Sequence, residues 1–324
     1  LVGIDNRRGV FPIHRSVRFL LVTGSRGGPT GSVGCRLGLD DPAALEHLGD
    51  EPAEGSEPFP VRVTTDLLTR VSGPDLTIPM AASARDLAVV ERAASLFPPL
   101  GADSGWRARF GRELNATDDR AVFRPRGSGL PLVEGKHLEP FRIAMSGCDR
   151  SVSRHDASRL LPANGFERPR LAYRDVAGAA NRVTLIAAVL PAGCVSLHTV
   201  FCLRSPLPRL VQHFLCGLFN SLVVNFLVRL RVTTHVTTAT VERLPIPTAE
   251  TAPRAMREIA ALARLLARRD DAAAFAQLNS RVAELYQLSR DEYEHVVNTF
   301  PLIAPDIRRR LIECFNNDRG SGSG

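Results

Sequence analysis

The chain has 324 residues, of which 44% are hydrophobic and 23% charged, and its formal net charge at pH 7 is +7. That balance excludes a disordered or fibrous polypeptide, and at roughly 150 residues per domain the length leaves room for two. The most apolar stretch, residues 214–228, is shorter than the ~20 residues a bilayer core demands and holds Asn220 and Asn225, so no membrane association is expected.

Six cysteines (Cys35, Cys148, Cys194, Cys202, Cys216 and Cys314) form no C-x-x-C pair and no cluster with histidine. This argues against a zinc module or a disulfide framework and for a reducing cytoplasm. Residue 1 is Leu and no basic stretch precedes an apolar core, so no signal peptide is expected and the chain reads as a processed piece ending in the linker-like 320–324. The positive excess is concentrated. Residues 1–100 carry 10 basic and 12 acidic groups, residues 251–324 carry 11 and 10, and residues 101–250 carry 20 and 12. A surface that neutralises phosphates has this signature, because binding there gains affinity from counterion release. Lys136 is the one lysine, and the arginine preference is compositional background.

Residues 10–13 and 17–23 read as short strands that pair. Gly24, Gly27 and Gly28 invite a nucleotide loop, but Pro29 and Gly31 follow without a helical period, so 23–28 reads as a hairpin end. Pro42 opens a short helix to 48, and 49–60 is an acidic, Pro-containing loop. Ser83 caps a helix that runs to Leu96 and stops at Pro98 and Pro99.

From 101 to 250 the texture turns to short β-rich runs at 130–133, 170–176, 183–190, 194–203 and 232–241, with Pro191, Ala192 and Gly193 as a hairpin loop. One helix, 207–230, interrupts them. On it His213, Gly217, Ser221, Asn225 and Arg229 recur every four positions, a small or polar stripe on an otherwise buried rod. Beyond Pro245 and Pro247 the segments 254–269, 271–288, 289–300 and 306–315 repeat apolar groups at helical spacing, and Ser289 with Glu292 has the capping-box form. The expected fold class is α+β: a mixed β-rich recognition domain (101–250) with a buried helix, preceded by 1–100 and followed by a C-terminal helical bundle (251–324).

Catalytic motifs are scarce. There is no Gly-rich methyl-donor loop after a first strand, no Asp/Asn-Pro-Pro-aromatic tetrapeptide, no Walker loop, no G-x-S-x-G and no H-E-x-x-H. Glu134-Gly135-Lys136 matches the acidic-x-Lys half of a metal-dependent nuclease, with Pro74-Asp75 as a possible upstream half, so a nuclease using Glu134 and Lys136 stays open. His198 and His235 stand among β-branched residues; on a strand, Ser196, His198 and Val200 would share one face.

Several blocks occur in a familiar order: F-G-R-E-L-N-A-T-D-D-R over 110–120, L-P-L-V-E-G-K-H over 130–137, R-D-V-A over 174–177, N-R-V-T-L-I over 181–186, L-F-N-S over 218–221, Arg229, and L-P-I-P over 244–247. This order resembles the target-recognition half of adenine-specific DNA methyltransferases of the type IIG restriction-modification class, including the Taq-like specificity domain. Residues 6–23, with F-P-I-H-R-S over 11–16, resemble the last strands of the methylase domain of the same enzymes, which makes 1–100 the C-terminal edge of a catalytic domain.

The resemblance implies that a missing N-terminal part binds S-adenosylmethionine and flips an adenine, while this chain chooses the DNA sequence and holds neither cofactor nor metal itself. Its implied partners are duplex DNA and that catalytic domain. The expected phosphate or base contacts are Arg120, Lys136, Arg174, Arg182, Arg229 and Arg231, with Asn115, Asn181, His198, Thr234 and His235 as further base readers. A protein-interaction module acting through the helical tail is the remaining alternative.

Overall fold

The computed structural model describes residues 1–15, 17–41, 43, 46, 60–127, 129–177, 181–232 and 234–320. The expected short helix 42–48 and loop 49–60 fall largely outside the described residues, as do 321–324 of the linker-like tail. The chain divides into two compact units, Leu1–Ser95 and Leu96–Gly324.

The first unit holds a four-stranded sheet in the order β2-β1-β3-β4, built from β1 (Val2–Asp5), β2 (Arg18–Leu21), β3 (Ser32–Leu39) and β4 (Val61–Thr64). β1 runs parallel to β3, and β2 and β4 are antiparallel to their neighbours. The expected strand at 10–13 is absent. Buried Asn6 takes its central backbone groups instead: Nδ2 donates to the carbonyls of Phe11 and Ile13 while Oδ1 accepts from the Phe11 N–H, and the Ile13 N–H turns back to the Phe11 carbonyl. α1 (Thr65–Ser72) follows β4 directly, capped by Thr64. α2 (Ala84–Leu96) begins as the sequence predicts, with Ser83 Oγ accepting from the Asp86 N–H and the Asp86 carboxylate accepting from the Ser83 N–H.

The second unit is α+β. Its strands are β5 (Phe110–Arg112), β6 (Phe123–Pro125), β7 (Leu130–Val133), β8 (Leu138–Glu139), β9 (Arg142–Ile143) and β10 (Arg150–Val152), then, after α3 (Arg154–Leu160), β11 (Arg170–Arg174), β12 (Ala187–Leu190), β13 (Val195–Ser196) and β14 (Val200–Leu203). They form one sheet in the order β13-β7-β10-β6, a second in the order β12-β11-β14-β5, and the β8–β9 hairpin. The second sheet is antiparallel throughout. The predicted loop Pro191-Ala192-Gly193 therefore joins strands of two different sheets, with Gly193 at φ +81°.

A buried ion pair fastens the two sheets. Arg170, at the start of β11, donates from Nε and Nη2 to the two carboxylate oxygens of Glu113 at 2.6 Å each; the side chains are 6% and 3% exposed. Glu113 also accepts from the Ser196 N–H of β13, and Arg170 donates to the Cys194 carbonyl. Every strong acceptor is thus occupied, as burial of two charges requires.

The predicted single helix 207–230 is two: α4 (Arg209–Phe219) and α5 (Leu222–Arg229), meeting at 65°. Ser221 caps α5 by accepting from the Val224 N–H, which starts a new helix at that point. Among the described residues no single helix is long and apolar enough to cross a membrane, and nearly every residue of this bent pair is buried. The polar stripe has a structural use at Gly217, Ser221 and Asn225. A Cβ at Gly217 would stand 2.6 Å from Ile259 Cγ2, so glycine permits that approach. Asn225 Oδ1 accepts from the Thr184 and Leu185 N–H groups, and Asn220 pairs with both the N–H and the carbonyl of Ala187.

That claim on the backbone shortens the predicted strand 183–190 to β12. Two further strand expectations are corrected. The run 194–203 breaks at a turn between β13 and β14, and 232–241 is not a strand, because Thr237 caps α6 (Thr238–Glu242). The tail is helical as predicted: α7 (Pro253–Leu266), α8 (Ala272–Leu285), α9 (Arg290–Asn298) with the capping box in place, and α10 (Pro305–Gly320). It packs on the middle segment, α7 against α4 and both α8 and α9 against α5.

Two expectations follow. Glu113→Ala strands a buried guanidinium and should lower stability by about 3–5 kcal/mol, read as a lower urea midpoint at unchanged slope; a loss below about 1 kcal/mol would contradict the role given to the pair. The second concerns alkali. Burial pushes the thiols of Cys194, Cys202 and Cys216 from 9.0 to about 11, about 12 and about 12, and raises the phenols of Tyr173, Tyr286 and Tyr293. The unfolded chain releases these protons first, so their contribution is intact below pH 9 and lost as pH climbs from 9 towards 12. Arg229 and Arg231, lowered to about 10, act in the opposite sense above pH 10 but are outnumbered. The urea midpoint should fall between pH 8 and 11; a flat profile would exclude the buried thiols and phenols as titrating groups.

Candidate nucleic-acid interface

The end of β11 is where predicted residues gather. Arg174 closes the strand, and its Cγ would lie 3.2 Å from a Cβ at Gly135, so glycine admits the 3-10 turn Gly135–His137 against it. Thr199 Oγ1 accepts from the Gly135 N–H at 2.9 Å and fixes the turn. Next to Gly135, the half-exposed Lys136 places its Nζ 3.7 Å from Glu134 and 3.9 Å from Asp149, too far for a tight pair. Glu134 is engaged by Arg150 at 2.8 Å.

On the other side of Arg174 lies Asp175, 7% exposed, whose carboxylate accepts from Arg112 at 3.2 Å and meets His235 Nδ1 at 3.3 Å. Arg112 stacks over Phe201 at 5.0 Å. A β-bridge joins Val176 to His235, and the Val236 N–H donates to the Asp175 carbonyl, so His235 and the exposed Thr234 are carried to the end of β11 by backbone pairing. With Nδ1 turned to a carboxylate and 55% of its side chain exposed, His235 directs Nε2 outward as a hydrogen-bonding group. Arg174, Asn181 and Arg182 line a cavity of about 740 Å3. The side chains of Arg174 and Arg182 have no hydrogen bond or ion pair among the described residues.

Arg229 faces inward. Its Nη2 donates to the Asn181 carbonyl at 2.5 Å, Nη1 to Thr299 at 2.9 Å and Nε to Thr184 Oγ1 at 3.3 Å, and the guanidinium lies over Phe300 at 4.1 Å. Desolvation pulls its pKa down to about 10. The residue thus ties the 181–184 segment to the end of α9 and positions Asn181 and Arg182. Arg231 is similarly shielded, its pKa lowered to about 10 by desolvation and then by the like charge of Arg243.

The other predicted residues stand apart from this patch. Asn115 closes a local turn, its Oδ1 accepting from the Thr117 N–H while Asp119 accepts from its own N–H. Arg120 is exposed on the 3-10 turn Arg120–Val122. His198 occupies the turn between β13 and β14 with Nδ1 buried and unpartnered, so the shared strand face with Ser196 and Val200 does not form. Sequence reasoning missed Arg112, Asp175 and Thr199. Asp175 and Arg112 had a signal, their places in the R-D-V-A block beside Arg174 and in the F-G-R-E-L block.

About half of the cations of 101–250 pair with acids, including Arg107 with Asp103, Arg142 with Asp270, Arg154 with Glu167 and Arg159 with Asp156. Among the described residues no group of three or more His, Cys, Asp or Glu side chains converges. Asp75, the upstream half of the nuclease expectation, belongs to the first unit.

No protein-family model matches the chain, and no curated protein matches it. Among solved structures it is similar to a chain from a type I R-M system, described for that system's complex assembly and conformational transition, at 17% identity over 72% of this chain and 52% of that one, with a TM-score of 0.30. It is similar also to the HsdS subunit from Thermoanaerobacter tengcongensis, at 17% identity over 72% of this chain and 51% of that one, with the same TM-score. The chain spans about half the length of each.

Arg229→Met should remove three donors and leave the Asn181 and Thr299 carbonyls without their partner, at a cost of about 2–4 kcal/mol. Amide hydrogen exchange should quicken across 181–185 and 298–300 before it does elsewhere. Protection unchanged in both segments would show that Arg229 does not hold them together.

Proposed function

We propose that the second unit reads duplex DNA, as the specificity part of an adenine-N6 methyltransferase of a restriction-modification system. The observation that carries this reading is that Arg174 and Arg182 line one cavity at the end of β11, beside the turn that carries Lys136, and that neither arginine has an ion pair among the described residues. Cations left unneutralised by their own protein attract phosphate, and each contact releases condensed counterions. Around them Asn181, Thr234 and His235 supply donors and acceptors of the kind that read base edges in a major groove. The Taq-like order of sequence blocks runs through the same segments, 130–137, 174–177 and 181–186.

Methyl transfer then belongs to a catalytic part outside this chain, in the same or another polypeptide, which binds S-adenosylmethionine. This chain holds neither the Gly-rich loop nor the Pro-Pro-aromatic tetrapeptide for that chemistry. The site of action is the cytoplasm, where the six free cysteines stay reduced.

Gel-shift titration of the chain on duplex DNA across salt concentrations tests the reading. The log–log slope should be steep, and Lys136→Ala, Arg174→Ala or Arg182→Ala should each flatten it by about 0.9 while weakening all sequences alike. Thr234→Val or His235→Ala should cost about 1–3 kcal/mol on the preferred sequence only. Binding indifferent to salt would overturn the proposal.

A further inference from the structure

The cavity beside the patch carries more than phosphate binding requires. Its volume of about 740 Å3 falls within the range of small-ligand sites. Phe141, Leu266 and Ile303 are buried and form its deep wall, while Asn181 and Arg182 are exposed and stand at its mouth. Three kinds of group therefore face one space. The deep wall is apolar and partly aromatic. Of the carboxylates on the lining, Asp270 is paired with Arg142 and Asp271 accepts from Arg269 and the Ala274 N–H, which leaves Glu139 to favour a ligand with an N–H donor. Arg174 and Arg182 have no ion pair among the described residues and favour an anion, whereas the third arginine, Arg142, is paired with Asp270.

An alkyl anion satisfies the first and last of these but offers Glu139 no donor. A planar heterocycle with an amino edge, joined to a phosphate, satisfies all three. We propose that this cavity takes a nucleoside monophosphate unit whose base bears an amino group, with the base against the apolar wall and the phosphate on Arg174 and Arg182. The unit has two possible sources: a free nucleotide, or a nucleotide unstacked from bound DNA. The second source rests on the DNA-reading function above. An unstacked base loses its neighbours' stacking, and an apolar, aromatic wall restores part of it.

The test titrates the full chain by calorimetry with dAMP, dCMP, dGMP and dTMP, and with deoxyadenosine and inorganic phosphate as fragments. At least one amino-bearing nucleotide should bind about tenfold or more tighter than either fragment, the gain expected from charge-assisted phosphate contacts. Arg174→Ala with Arg182→Ala should remove that gain. Ala272→Trp, at an exposed position on the cavity lining, should block nucleotide binding without lowering the unfolding temperature. Duplex is then added. The duplex carries 2-aminopurine in place of adenine: a rise in its fluorescence on binding identifies an unstacked nucleotide of the strand as the source, and nucleotide binding without that rise identifies a free nucleotide; either supports the site. Duplex binding without nucleotide binding, or fragments that bind as well as the nucleotide, overturns the cavity assignment and leaves DNA reading intact. Nucleotide binding without duplex binding overturns DNA reading and leaves the cavity assignment standing.

Discussion

The buried pair of Arg170 and Glu113 is the constraint on which the second unit turns. Neither sheet is large: the strands run from two to five residues, so few ladder hydrogen bonds hold any of them. The pair substitutes for that missing cooperativity. One carboxylate binds the start of β11 through two guanidinium bonds and β13 through the Ser196 N–H, so the two sheets share a common fastening. Burial of two charges is costly unless their remaining lone pairs and protons are matched, and here the Cys194 carbonyl and the Ser196 amide match them. With its first residue anchored in this way, β11 delivers Arg174 and Asp175 at its far end to a fixed place.

A second set of buried polar groups sets the opposite wall. The α4–α5 pair is apolar by composition, yet Asn220 and Asn225 are turned towards the chain between 184 and 187 and satisfy its backbone groups one by one. On one straight helix of about six turns Asn220 and Asn225, five residues apart, would stand about 140° apart around the axis and could not both face this segment. The bend at Asn220 and Ser221 brings two short helices to the same segment from different directions. Arg229, one turn beyond Asn225, then reaches the carbonyls of Asn181 and Thr299 and closes the link to α9. Stability and site geometry are therefore served by the same four side chains, and a change in one is a change in both.

What was legible in the sequence follows from how local the cause is. The tail helices could be read because capping and apolar spacing act within one or two turns, as Ser289 and Glu292 show. Ser83 was legible for the same reason. The strand at 10–13 could not be recognised as absent, since its backbone is claimed by a side chain at position 6, and the run 232–241 looked β-rich because threonines that cap a helix also favour strands. The polar stripe on 207–230 was visible, but its partners 40 residues upstream were not. At the site, Lys136, Arg174 and Arg182 could be named individually from charge, whereas their juxtaposition depends on which strands pair. Arg229 looked like the others because an arginine's inward or outward direction is decided by neighbours distant in sequence.

The charge surplus of residues 101–250 gains meaning only after its pairing is known. An arginine in contact with a carboxylate contributes a dipole, whose field fades within a few ångströms of the surface, whereas an unpaired one projects a net charge to about a Debye length. Arg154 with Glu167 and Arg107 with Asp103 are of the first kind and add little at a distance. Among the described residues Arg174 and Arg182 are of the second kind, whereas Lys136, with acids at 3.7 and 3.9 Å, is partly neutralised. These three lie on segments that β11, the Gly135 turn and the Arg229 tether bring to one place. The total of +8 is thus a poor guide to where a polyanion would settle; the remainder after pairing, concentrated where β11 ends, is the quantity that directs it there.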